Sequence, residues 1–389
     1  MRHLVVTLVI LILAASVASA QSTTFKFGGY VKLDVLNTKY YDGNVAPESP
    51  LRDIHFPAAI PVGADNDIFS NLDFHAKESR FNFDVRTRFA EDHEVHAYVE
   101  LDFLLAGQGD ERVSNSFNPR LRHFYFEYRN WLFGQTWSTF MIVAPIVDDL
   151  DFGGTADGFI FNRQPMVRFS KGPWQFAAEN PETTLEPFGG GGRIVTESST
   201  IPDLVGRYNL TRDWGTLSIS GLIRQLKHEF DTSGTAEAEN ALGFGVSGGG
   251  KINVFERDDV RFQASAGAGL GRYAAFNYVN AAVIGADQRV NSIPSFLGFV
   301  GYRHFWNEKL RTNVNISGIF ANNDETLTGT GVNQSAYSFS GNLIYSPIPA
   351  LSFGAELMRA YRKLESGTVG KFDRLQLSGK YDFSFSIGN

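Results

Sequence analysis

A period of two runs through this sequence from Phe25 onward, and it leaves few folds open. Phe25, Phe27, Gly29, Val31, Leu33 and Val35 alternate with Lys26, Gly28, Tyr30, Lys32 and Asp34. The pattern returns in Phe81, Phe83, Val85 and Phe89 against Arg80, Asn82, Asp84, Arg86 and Arg88. It returns again in Val95, Ala97, Val99, Leu101 and Phe103 against Glu94, His96, Tyr98, Glu100 and Asp102. Successive side chains of a strand point to opposite faces, so each stretch carries one apolar and one polar face. About ten residues is also the length a tilted strand needs to cross a bilayer.

Carried along the chain, the same reading predicts about sixteen strands. Their centres fall near Tyr30, Phe83, Tyr98, Tyr125, Gly134, Val167, Ala177, Gly206, Ile219, Gly245, Ser265, Val300, Asn315, Gly341, Ala355 and Leu377. The connections alternate in length. Turn formers make short ones at Glu91-Asp92, Arg129-Asn130, Gly172-Pro173, Arg212-Asp213, Arg257-Asp258, Asn307-Glu308 and Pro347-Ile348-Pro349. Between them lie long segments at 39–70, 106–118, 140–161, 180–201, 274–293 and 321–333. A soluble β-sandwich has no reason to make every second connection short, whereas a membrane barrel has short periplasmic turns and long outer loops. The run Phe140-Met141-Ile142-Val143-Ala144-Pro145 breaks the alternation and is read as a loop folded into the lumen.

The expected fold is therefore all-β: a transmembrane antiparallel β-barrel of about 16 strands with an inward-folded third loop. Composition agrees. Aromatic residues make up 14% of the chain, with 34 Phe and 39 Gly, yet its mean hydropathy is -0.15. So many rings in so polar a chain must be displayed periodically, on lipid, with polar groups turned to a water-filled lumen. Residues 1–20 read as a secretory leader: Arg2 and His3 precede an apolar run from Leu4 to Val17, closed by Ala18-Ser19-Ala20, with cleavage after Ala20. Residues 21–389 form one barrel domain, since no composition break divides them. Cysteine is absent, which excludes a disulfide scaffold and thiol chemistry. The net charge of -7 and the lack of a basic tract speak against nucleic-acid binding.

Three segments carry a family likeness: Phe27-Gly28-Gly29-Tyr30-Val31-Lys32-Leu33-Asp34, Lys77-Glu78-Ser79-Arg80-Phe81-Asn82-Phe83, and Trp131-Leu132-Phe133-Gly134-Gln135-Thr136-Trp137-Ser138-Thr139-Phe140. With the Asp148-Asp149-Leu150-Asp151-Phe152 block that follows, they resemble the DcaP-like family of trimeric bacterial outer-membrane porins. The resemblance implies a homotrimer of sixteen-stranded barrels in a Gram-negative outer membrane, its third loop (140–161 here) narrowing each lumen. It also implies permeation of small organic anions such as dicarboxylates and aromatic carboxylates. Some relatives carry a periplasmic coiled-coil extension; here the first strand is expected directly after the leader, so trimerisation would rest on barrel packing. The last aromatic residue, Phe385, lies four residues from the end, where many barrels finish on one.

If apolar faces meet lipid, the polar faces list the lumen charges. The candidate basic row is Arg80, Arg86, Arg88, Arg168, Arg224, Arg261, Arg303, Arg311 and Arg374, with Lys32. Candidate carboxylates opposing them are Asp34, Asp84, Glu94, Glu100, Asp102, Glu356 and Asp382. Arginine is a planar, bidentate donor suited to carboxylates. Asp148, Asp149 and Asp151 on the inward loop are the expected acidic counter-face, so that an anion slides along the basic wall through a transverse field. Arg80, Arg86 and Arg88 on one strand are expected to dominate. The same arginines serve equally as structural ion pairs. The acidic run could offer oxygen ligands to calcium, but it lacks the glycine and distal glutamate of an EF-hand loop, and no metal site or cofactor is expected.

Catalytic motifs fail on geometry. His93-Glu94-Val95-His96 places its histidines three apart on a strand, not four apart on a helix. Gly245-Val246-Ser247-Gly248-Gly249 fits Gly-x-Ser-x-Gly but continues as strand where a nucleophile elbow needs a helix. Gly189 to Gly192 and Gly248 to Gly250 lack the Lys-Ser/Thr of a phosphate loop. The expected function is passive diffusion, without enzyme activity. The alternatives from other classes are a barrel hydrolase, which needs a convergent triad, and an adhesin working through its long loops.

Overall fold

The computed structural model describes residues 22–63, 67–105, 109–110, 115–196, 199–232 and 235–388. The expected leader, residues 1–20, lies outside them, as does part of the 106–118 connection.

Sixteen antiparallel strands follow one another and close on themselves. β1 (Ser22–Tyr40) pairs on one edge with β2, which comes in two pieces, Phe69–His75 and Arg80–Ala90. Then follow β3 (His93–Asp102), β4 (Arg120–Tyr128), β5 (Trp131–Trp137), β6 (Arg163–Lys171), β7 (Trp174–Glu179) and β8 (Asp203–Arg212). The second half comprises β9 (Gly215–Thr232), β10 (Thr235–Val254), β11 (Asp258–Ala268), β12 (Pro294–Phe305) and β13 (Leu310–Ala321). It ends with β14 (Asn333–Ile348), β15 (Leu351–Leu364) and β16 (Val369–Gly388). The free edge of β1 takes β16, with Phe27 opposite Phe385 and Val35 opposite Leu377. Closure pairs backbone groups that lipid could not satisfy. Every strand centre read from the sequence falls inside one of these strands, from Tyr30 in β1 to Leu377 in β16.

Burial is inverted relative to a soluble protein. Val31, Leu33, Phe74, Phe296, Val300, Ile316 and Leu377 are exposed on the outer wall, while Lys32, Asp34, Asn313, Ser317, Glu356 and Gln376 are buried inside. The alternation of each strand thus sets lipid face against lumen face. Short turns such as 91–92, 129–130 and 172–173 share one end with both termini, and the long loops crowd the other. In barrels of this kind the short-turn end is periplasmic. One glycine of the Gly-Gln-Thr block is demanded by packing: Gly134 has φ +128°, and a β-carbon there would fall 2.3 Å from the Phe124 carbonyl oxygen of the paired strand.

The third loop, 138–162, does fold into the barrel, and it is not alone. Its Phe140, Met141, Phe159 and Ile160 pack with Leu270, Tyr273, Ala274 and Tyr278 of the 269–293 loop. This apolar plug rests on inward residues of the wall, among them Leu297, Phe299 and Ile319. The 269–293 loop also joins the 180–202 loop in a small sheet of four short strands, Ile194–Thr196, Thr183–Glu186, Ala282–Ile284 and Val290–Ser292. A third segment, 41–68, reaches in from β1, and its buried His55 donates its backbone N–H to Asp151 at 2.8 Å. Burying loop backbone inside a polar barrel requires partners for every polar group. Those partners define the candidate site.

Candidate pore constriction

The loop acids are anchored to one wall. Asp148 accepts from Arg311 Nε at 2.5 Å and lies 3.7 Å from Arg303 Nη1. Arg303 also pairs with Asp259 at 2.5 Å, as does Arg261 at 2.6 Å, and Arg261 donates to the Ile146 carbonyl. Asp151 is fully buried against Arg374, 2.8 Å from Nη1, while the same guanidinium donates to Thr38 Oγ1 and to the Leu51 carbonyl. The backbone between them is held as firmly. Lys32 Nζ donates to the Leu150 carbonyl at 2.6 Å, Asn313 and Asn342 donate to the Asp148 carbonyl at 2.9 Å each, and Glu356 accepts from the Leu150 N–H at 2.8 Å. Lys32 pairs in addition with Glu78 at 2.5 Å and Asp34 at 3.3 Å.

This corrects the expected transverse arrangement. Asp148 and Asp151 do not face Arg303, Arg311 and Arg374 across open lumen; they are in contact with them. Asp151 is enclosed and needs a cationic partner, and half-buried Asp148 is held between two arginines. Electrostatics records the pairing. Burial alone would raise the Asp148 carboxyl, but the hydrogen bond and charge of Arg311, with Arg303 and Arg261, hold it below its ordinary value. Asp151 behaves alike: burial is outweighed by Arg374, by His55 and by the backbone N–H groups of His55 and Gly153.

Asp149 is the exception. Burial pushes its carboxyl well above the ordinary value, and the neighbouring charges of Glu356, Asp151 and Asp148 push the same way. Asn315 donates to Oδ1 at 2.7 Å, and Oδ2 has no hydrogen-bond partner among the described residues. Holding Asp149 here therefore costs folding free energy that builds up from the ordinary carboxylate range, where the unfolded chain ionises, to its raised folded pKa, and that is absent only below that range. Asp149→Asn is expected to stabilise the barrel by about 1 kcal/mol near neutral pH. The gain should vanish below pH ~4, where the wild-type carboxyl is protonated whether folded or unfolded. Thermal unfolding of detergent-solubilised protein at the two pH values tests this; equal gains at both would remove the electrostatic explanation.

The row Arg80, Arg86 and Arg88 divides into two places. Arg86 and Arg88 lie at the periplasmic mouth with Glu91, Asp92, Glu94, His96, Glu127 and Arg129, and pair with Asp84 at 3.4 Å and Glu94 at 3.2 Å respectively. Arg80 lies further up the wall, 3.6 Å from Glu100. Arg224 is a structural group: it contacts Asp203 at 3.4 Å and donates to the carbonyls of Leu270 and Glu182. Arg168 is half-buried on the wall near the charges of Glu179 and Glu127, and its Nε lacks a partner among the described residues.

Around Arg80 the structure assembles residues that alternation did not single out. Arg120 grips Asp102 through two bonds of 2.8 and 2.7 Å, and Arg122 bridges Glu100 at 2.6 Å and Asp102 at 2.9 Å. Arg163, the first residue of β6, lies over the Trp137 ring at 4.5 Å and the Phe161 ring at 5.8 Å. Its Nη1 is buried without a hydrogen-bond partner among the described residues. The Phe152 ring of the third loop stands 5.4 Å from both Arg120 and Arg122, and Tyr30 stands 5.0 Å from Arg80. Four guanidiniums thus meet two carboxylates on β3, and Lys32 with its two partners Glu78 and Asp34 adds one negative charge beside them, so the group keeps an excess of one positive charge. The excess positive charge is framed by aromatic rings.

Sequence signals for this cluster are faint. A register shift between Glu100 and Leu101 opposes β3 to a bulge in β4, so that Leu121 and His123 pair and Arg122 is the extra residue. Consecutive Arg122 and His123 are then both buried inside, where simple alternation would send one of them to lipid. Among the described residues no group of three or more histidines and carboxylates is arranged to hold a metal ion.

The sequence profile of the DcaP outer membrane protein family matches residues 14–383. The chain belongs to that family. Among solved structures, the outer membrane channel DcaP of Acinetobacter baumannii superposes with a TM-score of 0.75 at 21% identity, covering 93% of this chain and 97% of that one. In-vitro folded OmpT of Vibrio cholerae in its trimer form gives 0.53 at 10% identity, covering 93% and 99%. An anion-selective porin from Comamonas acidovorans gives 0.53 at 9% identity, covering 93% and 100%. No curated protein sequence matches the chain. Membership in the DcaP family makes the chain an outer-membrane channel of porin type in a Gram-negative envelope, and not an enzyme. Gly-x-Ser-x-Gly agrees with that: Ser247 lies mid-strand in β10, hydrogen-bonded to Ser265.

Proposed function

We propose that this DcaP-family barrel is a passive diffusion channel that prefers small organic anions, dicarboxylates or aromatic carboxylates, and works as a homotrimer. The observation that carries the preference is the Arg80, Arg120, Arg122 and Arg163 cluster with its net positive charge and its frame of Tyr30, Trp137, Phe152 and Phe161. The third loop spends its acids on the opposite wall and turns its aromatic side to these arginines. A carboxylate passing here meets guanidinium donors, and an aromatic body meets ring faces. Weak, multiple contacts of this kind select without trapping.

The test is the reversal potential of the purified protein in planar bilayers under a potassium chloride gradient. A potential of the sign set by chloride is expected, with benzoate or succinate gradients giving the same sign; a cation-set potential would sink the charge argument. Conductance steps closing in threes are expected of a homotrimer, and steps of one size only would refute it.

A further inference from the structure

We infer that the long-loop end carries a second anion site, a vestibule pocket built around Arg193 and Arg362 that takes a small organic carboxylate before it reaches the arginine cluster. The inference rests on the anion-channel reading and places a recognition step above it.

The pocket is a cavity of about 450 Å³ between the loops 180–202, 269–293 and 322–332 and the top of β15. That is the size range of small-molecule sites. Two cations line it, and among the described residues neither has a carboxylate partner within ion-pair distance. Arg193 donates to Asn280 Oδ1 at 2.6 Å and to the Asn277 carbonyl at 2.7 Å. Arg362 donates to Asn333 Oδ1 at 2.7 Å and to the Ile60 carbonyl at 2.8 Å. Neutral acceptors orient a guanidinium and leave its charge in place, so both side chains are aimed without a direct ion pair, and Arg193 alone feels the nearby charge of Glu186. Among the described residues Glu186 is the one acid on the lining, and it is engaged by the Asn280 amide. The lining therefore sums to one positive charge.

The remaining walls suit an organic anion better than an inorganic one. Val279, Ile293 and Val332 supply apolar surface, and the Asn323 and Asn333 side chains supply amides. Glycines 189–191 leave the rim as bare backbone, with positive φ at all three. Gly331 faces open space: its φ is ordinary, and a β-carbon added there would meet nothing within 4 Å. It offers a way to fill the cavity without touching either arginine.

Two variants test the site: the double substitution Arg193→Gln with Arg362→Gln, and Gly331→Leu. Each is compared with wild type for succinate and phthalate flux into proteoliposomes across a concentration series, and for reversal potential in potassium chloride. The double variant is expected to raise the half-saturating concentration at least fivefold, and Gly331→Leu to raise it similarly, with the reversal potential unchanged in both. An unchanged half-saturating concentration in Gly331→Leu, whose conductance shows it to be folded, would overturn the proposal. So would wild-type flux that stays linear in concentration. The two readings fail separately: a wild-type reversal potential set by cations refutes the arginine cluster as selector, whereas half-saturation addresses the vestibule alone.

Discussion

Arg163→Gln is expected to reduce the anion-to-cation permeability ratio about fourfold. A unit charge acting on a permeating ion at about 5 Å contributes about 0.8 kcal/mol even in a water-like dielectric, which is a factor of about four. Arg163 is the member of the cluster whose removal breaks no ion pair among the described residues: it stacks on Trp137 and Phe161, and its Nη1 has no partner there. Its loss therefore removes charge without stranding a carboxylate, unlike loss of Arg122, which would leave Glu100 and Asp102 short of a buried partner. The double change Arg86→Gln with Arg88→Gln serves as the contrast. Both side chains are about half exposed at the periplasmic mouth and share Glu94, so less than a 1.5-fold change is expected, as screening there is strong. The effect of Arg163→Gln should shrink between 0.1 and 1 M salt, as the Debye length falls from about 10 to 3 Å. Bi-ionic potentials at the two salt concentrations measure it. A larger effect from Arg86 and Arg88 than from Arg163 would place selectivity at the mouth.

That contrast shows what the sequence can and cannot convey. Strand positions are legible because lipid and lumen impose opposite demands on alternate residues of every strand, and Tyr30, Tyr98 and Leu377 need nothing further. Inward direction is legible for the same reason: Arg261, Arg303, Arg311 and Arg374 all reach the third loop inside the barrel. Partnership is not. Whether Arg311 is a free lumen charge or the anchor of Asp148 depends on a contact across 163 residues, and nothing local encodes it. Arg122 is hidden by the bulge in β4, and Arg163 by standing at the strand end where the chain leaves the loop. The plug does have a signal, though one that only the structure makes readable: β12 runs Phe296-Leu297-Gly298-Phe299-Val300, apolar on both faces. Only a wall covered inside as well as outside has use for Leu297 and Phe299, which pack on the loop plug.

Arg374→Ala is expected to release the third loop and to be the most destabilising single change in the lumen. Arg374 is completely enclosed, bound to Asp151, Thr38 and the Leu51 carbonyl at once, so it ties the 138–162 loop, the 41–68 loop and the wall together. Removing it leaves Asp151 buried beside Asp149 and Glu356 with no cation in contact. Stranding a buried charge in this way costs about 3–5 kcal/mol. The loop can avoid that cost by moving its acids into water, which widens the lumen. Single-channel conductance should therefore rise and become noisier, larger solutes should pass in liposome swelling, and thermal stability should fall. The double change Arg374→Met with Asp151→Asn removes both charges while keeping volume, and should return conductance and most of the stability toward wild type. If Arg374→Ala instead lowers stability with conductance unaltered, the loop is held by the apolar cluster of Phe140, Phe159 and Tyr273 rather than by its ion pairs. The charge-conserving logic then applies to folding only, and the constriction would be set by packing.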